Sequence, residues 1–243
     1  ALGGSGTGGS DGGTVLVEGN STLSTSGATS AGIVAQSIGG GGGAGGISDT
    51  SFLGTHAGLD VSIGGQTGTS GDGGDVTARW SGAINTTGTV SMGIFAQSIG
   101  GGGGLILADN VKVLGVPAAS FGSTVTGGAG NGGTVMVNDS DGTVAISTSG
   151  AGSHGIVAQS IGGGGGALII DQPTAQFSID RAGGEAPSGN GGDVRVTLSG
   201  SITTSGADAC GIVAQSLTNA MVFFGSDGIE LVQEPGPSKQ GSI

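Results

Sequence analysis

Short apolar runs of four to seven residues, bounded by Gly, Ser, Asn and Asp, recur along the whole chain. One of them is a phrase stated four times. It reads GIVAQSIGGGGG at 32–43, GIFAQSIGGGGG at 93–104 and GIVAQSIGGGGG at 155–166, then GIVAQSL at 211–217 without the glycines. Gln36, Gln97, Gln159 and Gln215 therefore recur at steps of 61, 62 and 56. Self-similarity at a fixed period signals a repeat architecture, in which each repeat buries its apolar face on the next. Runs this short, with breakers this dense, predict strands and leave no window for a helix.

Two further anchors accompany each phrase. The first reads DGGTVLV at 11–17, GGDVTA at 73–78, GGTVMV at 132–137 and GGDVRV at 191–196. Its alternation is clear, so Arg195 points outward if Val194 and Val196 point in. The second reads TLSTSG at 22–27, AINTTG at 83–88, AISTSG at 145–150 and SITTSG at 201–206. The separations from Val15 to Gln36, from Val76 to Gln97 and from Val194 to Gln215 are identical. That from Val135 to Gln159 is longer by three, because NDSDG at 138–142 carries a small insertion. The phrase strand has two nearly invariant faces, Ile33, Ala35 and Ser37 on one and Val34, Gln36 and Ile38 on the other. A strand covered on both sides is expected.

A period near 60 residues is read as about three coils of about 20 residues. The expected fold is therefore all-β, a parallel β-solenoid with about three coils per repeat. Twelve coils at about 4.8 Å would form a rod roughly 55–60 Å long. On that count Ile33, Ile94, Ile156 and Ile212 lie about 14–15 Å apart, and the glutamines, not being in adjacent coils, do not imply an amide ladder, so each satisfies its amide locally. Five glycines exceed the need of one corner, so the run is expected to pack or cross against the rod.

Residues 1–217 are the solenoid, with anchors near Val15, Val76, Val135 and Val194, and 218–243 form a divergent or cap-like end. TNAMVFF at 218–224 replaces the last glycines, and its MVFF is expected to be exposed. Stretches 44–72, 105–131 and 167–190 share length and strand content (LDVSI, NVKVL, AQFSI) but few side chains. Divergent loops on a shared scaffold are where recognition is expected.

Composition sharpens this picture. Gly at 61 of 243 residues raises disorder as an alternative, but 35% hydrophobic and 9% charged residues are the reverse of the disordered signature. With five Lys plus Arg and a net charge of −12, few phosphates can be neutralised, so nucleic acid is not an expected partner. The same deficit argues against anionic lipid, and no apolar run is long enough for a transmembrane helix.

Candidate chemistry is sparse. Cys210 shares a slot with Ala31, Met92 and His154, which favours packing over reactivity. His56 and His154 have no metal-ligand spacing around them. Ser37 and its equivalents follow Gln and are not in a nucleophile elbow. No G-K-(S/T) follows the glycine runs, which excludes a phosphate loop. Parallel β-helices also host polysaccharide-active enzymes, whose sites need clustered carboxylates and a cation. Here Arg79, Arg181, Arg195, Lys112 and Lys239 are scattered, as are the acids, so that reading ranks low, no catalytic site is assigned and no enzyme is expected. SGDGGDV at 70–76 and SGNGGDV at 188–194 look like single calcium-roll units, and the T-S-G strands suggest an ice-binding face. Both readings rank lower, because each unit recurs only once per repeat. No metal, cofactor or catalytic residue is assigned.

The phrase together with GGDVRVTLSGSITTSG at 191–206 resembles the passenger regions of large glycine-rich bacterial autotransporters. The resemblance covers most of the chain, in four copies. It implies a right-handed parallel β-helix carried outside the cell, at the bacterial surface, as part of a longer polypeptide. The expected function is structural and adhesive, a rod displaying its variable stretches to a surface receptor or glycan. The alternative is a self-assembling extracellular filament or matrix subunit, in which the partner is another copy of the chain.

Overall fold

In the computed structural model, the described residues are 9–48, 51–53, 61–63, 71–109, 112–114, 118–121, 130–139, 142–171, 178–179, 189–233 and 241–243. Among them every regular element is a strand. The anchors form one parallel sheet, Val15–Gly19, Val76–Trp80, Val135–Asn138 and Val194–Thr197, with Val15, Val76, Val135 and Val194 directly paired. The T-S-G strands form a second, Leu23–Thr25, Gly82–Thr86, Val144–Thr148 and Ser201–Thr204. The phrases form a third, in which Ile33, Ile94, Ile156 and Ile212 are partners on neighbouring strands.

This pairing corrects the three-coil count. Each repeat contributes one strand to each stack, so repeats are single layers. Ile33 and Ile94 are one strand spacing apart, about 4.8 Å, and the whole set of four layers spans only about 14–15 Å. The three runs of a repeat belong to three different sheets, one strand in each. Period alone does not distinguish three short layers from one three-sided layer.

The phrase strands separate two cores, as their two apolar faces predict. On one side Ile33, Ala35, Ile94, Ala96, Ile156 and Ala158 pack with Val76, Val135, Ile84 and Ile146. On the other, Phe95, Ile99, Val157 and Ile161 pack with Leu105, Ala167, Ile169, Val222 and Phe224. The second core exists because the chain doubles back after each phrase. Gly42–Ser48 and Gly103–Asp109 are return strands, and the third repeat makes its return within one long strand, Ile156–Ile170. Leu105, Ile106, Ala108 and 167–170 are buried, so the opening residues of the second and third variable stretches are core and not display surface.

The glycine run makes that reversal. Gly40 and Gly41, Gly101 and Gly102, and Gly163 and Gly164 all have φ between 77° and 88°, the left-handed region that residues with a Cβ adopt only at a cost. Close approach adds to this. A Cβ on Gly42, Gly103 or Gly165 would lie 1.9, 1.8 or 1.9 Å from the carbonyl oxygen of the next layer. The run is a stacked turn rather than a segment crossing the outside.

In the fourth repeat the turn survives without its glycines. Gly162 pairs with Thr218 and Gly165 with Ala220, so Asn219 alone, at φ 49°, replaces two residues. Asn is among the residues best suited to that conformation. The strand Ile212–Gly225 runs through the 217/218 boundary, and Met221, Val222, Phe223 and Phe224 are buried, correcting the expected exposure of MVFF. Gly228–Gln233 then pairs antiparallel along Ala220–Gly225.

The strands within the variable stretches also stack in parallel, with a different alignment from the sequence match. Lys112–Leu114 pairs with Ser51–Leu53, whereas Val61–Ile63 and Ser178–Ile179 both pair with Ala118–Phe121.

Candidate functional site

Most conspicuous polar side chains of the repeat hold one layer to the next. Gln36 Nε2 donates to Gln97 Oε1 at 2.6 Å, Gln97 to Gln159 at 3.0 Å, and Gln159 to Gln215 at 2.6 Å. Gln97 and Gln159 are fully buried. An amide ladder therefore exists where the three-coil count implied none. A side chain with both a donor and an acceptor is the simplest group that can satisfy itself in an identical stack.

The serine after each glutamine works differently. Ser37 Oγ donates to Gly13 O at 2.8 Å and accepts from Gly74 N at 3.0 Å, tying a phrase to the anchors of its own layer and the next. Ser98 and Ser160 repeat the arrangement, and Ser216 accepts from Gly241 N at 2.6 Å. The threonine of each T-S-G closes a turn: Thr25, Thr86 and Thr148 donate to the carbonyls of Ser30, Ser91 and Ser153 at 2.5–2.7 Å.

The acids of the calcium-like units are engaged in the same way. Asp11 Oδ1 accepts from Asp72 N at 2.8 Å, Asp72 Oδ1 from Asn131 N at 2.6 Å, and Asn131 Oδ1 from Asn190 N at 3.0 Å. Asp75 and Asp193 accept from Thr134 N and Ser242 N, each at 2.8 Å. With one layer per repeat, the Thr-bearing strands stack directly on one another. The Asp and Thr positions are accounted for by these hydrogen bonds. Among the described residues no three of His, Cys, Asp and Glu converge on a metal-sized site.

His154 is fully buried, and its ring packs on Phe224 with centroids 5.6 Å apart. Its Nδ1 accepts from Cys210 N at 3.0 Å. Burial lowers its pKa from 6.5 to about 4. The folded state thus favours the neutral ring and the unfolded chain takes up the proton first. Stability is complete above pH 6.5 and declines as pH falls towards 4, by about 3 kcal/mol in all. In urea titrations at pH 7.5 and 4, His154→Met, which copies Met92, should remove that share of the acid sensitivity. Equal pH dependence in both proteins would refute it. Met92 in the same slot is also buried, whereas Cys210 is exposed.

One concavity lies outside this stacking chemistry. It sits on the outer face of the third and fourth anchor strands, with a volume of 510 Å³, and its walls include Met136, Asn138, Asp139, Arg195, Leu198 and Ser199. Strand alternation sends Met136, Asn138 and Arg195 outward, as expected for Arg195. Asp139 comes from the NDSDG insertion, and its Oδ2 accepts from Ser199 N at 2.5 Å and from Ser199 Oγ. Its Oδ1 and Asn138 Oδ1 are buried and have no hydrogen-bond partner. The insertion was visible in the sequence as an excess of three, but no acid or amide in it could be assigned to a groove without the pairing partner.

Arg79 pairs with Glu18 at 3.7 Å across the half-exposed outer face of the first two anchors. Lys112 lies in a short strand. His56, Arg181 and Lys239 lie outside the described residues. Compared with protein-family models, with curated proteins and with solved structures, the chain finds no match.

Proposed function

We propose that the chain is a structural segment of a right-handed parallel β-solenoid, exported to the bacterial surface, where it carries variable stretches to a receptor or glycan. The observation that supports this most is the use of the repeated polar side chains. Gln, Ser, Thr, Asp and Asn at the repeated positions hydrogen-bond between layers or within turns, as scaffold residues do. A non-catalytic role accords with that use. Display falls to the parts of the variable stretches beyond Ser48, Asp109 and Asp171, because the residues preceding them serve the return strands and the second core. Of the two features behind the filament alternative, the doubly apolar phrase strand and an exposed MVFF, the second is buried.

Export and assembly state are both open to direct test. Antibodies raised against the purified chain should label intact host cells, and labelling only after lysis would overturn the surface assignment. Negative-stain microscopy should show discrete particles, whereas fibres of uniform width would favour the filament.

A further inference from the structure

We propose that the groove over the third and fourth anchor strands is a saccharide site, taking a neutral hexose unit of a glycan chain. It lies on the scaffold's own sheet and does not depend on the variable stretches or on where the chain is displayed.

The polar groups of the groove define what can occupy it. Asn138 Oδ1 and Asp139 Oδ1 are buried acceptors without donors. Leaving such groups unsatisfied is costly, so an occupant that donates two hydrogen bonds is favoured. Arg195 is exposed at the same groove and makes no hydrogen bond or ion pair among the described residues, so it offers donors in need of an acceptor. A simple cation could meet the two acceptors but would be repelled by Arg195. A simple anion could meet Arg195 but would be repelled by Asp139. Hydroxyl groups both donate and accept without net charge, and vicinal hydroxyls on a ring present several together.

The remaining walls suit such a ring. Met136 and Leu198 supply apolar surface for the C–H face of a pyranose, and the volume of 510 Å³ lies within the usual range of small-ligand sites. The carboxylate is also held in place. Two hydrogen bonds from Ser199 fix Oδ2 and leave Oδ1 as the carboxylate oxygen without a partner. That fixing crosses from the third layer to the fourth and depends on the extra residues of the third repeat.

Saturation-transfer NMR on the purified chain tests this, with cellotriose, maltotriose and chitotriose as probes and spermidine and citrate as charged controls. At least one trisaccharide should bind. Arg195→Gln and Asn138→Leu, both at outward positions, should each weaken it roughly tenfold with an unchanged circular dichroism spectrum. Silence of all three trisaccharides at about 5 mM would overturn the proposal. So would unchanged affinity in both variants, or binding of spermidine or citrate alone. None of these results bears on surface labelling, so failure here leaves the display reading to its own experiment.

Discussion

Gly103→Ala should destabilise the fold by at least about 4 kcal/mol, enough to abolish cooperative unfolding in a marginally stable domain. Two independent costs combine. Gly103 has φ 143°, a region L-residues rarely enter, and its Cβ would lie 1.8 Å from Gly165 O in the next layer. The obstacle is backbone paired on both sides, since Gly103 is bonded into the sheet between Gly42 and Gly165, so it cannot yield cheaply. Gly43→Ala is the matched control, because a Cβ there meets nothing within 4 Å. It should shift the urea midpoint by well under about 1 kcal/mol equivalent. Similar losses in the two variants would mean that glycine matters here for general flexibility and not for stacking.

Gln97→Leu should cost about 2–4 kcal/mol despite replacing a polar core residue with an apolar one of similar size. It deprives Gln36 Nε2 of its acceptor and Gln159 Oε1 of its donor, in a region where Gln97 and Gln159 have no access to water. The cost lies in the neighbours left behind, so converting all four ladder glutamines to leucine together should recover most of it. Chemical denaturation of the single and quadruple variants separates these outcomes. A quadruple variant much less stable than Gln97→Leu would show that the ladder itself, rather than its interruption, governs stability.

Several features are legible in the residue pattern. Strands, their approximate bounds, the outward Arg195 and the two-sided covering of the phrase follow from alternation and from breaker positions, which are local properties of the backbone. The order of strands within a repeat is likewise local. What misled was the count of layers. A period near 60 is compatible with three short turns or one long one, because the inter-layer hydrogen bonds that distinguish them join glutamines a whole repeat apart. A three-coil repeat implies no amide ladder and leaves the threonine and aspartate rows sparse. The overlong rod had the same origin.

The exposed MVFF failed for another reason. Apolar residues after the last phrase resemble a free edge until the return strand is known, and the return strand depends on a glycine turn whose φ values no residue pattern reports. The groove was similarly hidden. NDSDG stood out as an insertion, but its chemistry depends on Ser199, which is 60 residues away from Asp139 and one strand over.

By itself, then, the sequence determined an all-β chain of four equivalent repeats, because strand propensity, turn residues and period are written residue by residue. Tertiary structure alone decided that each repeat is one layer and that the glycines form a stacked reversal enclosing a second core. It also decided that the identical glutamines meet. Those outcomes rest on contacts between layers, where like residues touch like residues, and an unaligned period carries no information about which neighbour each one finds.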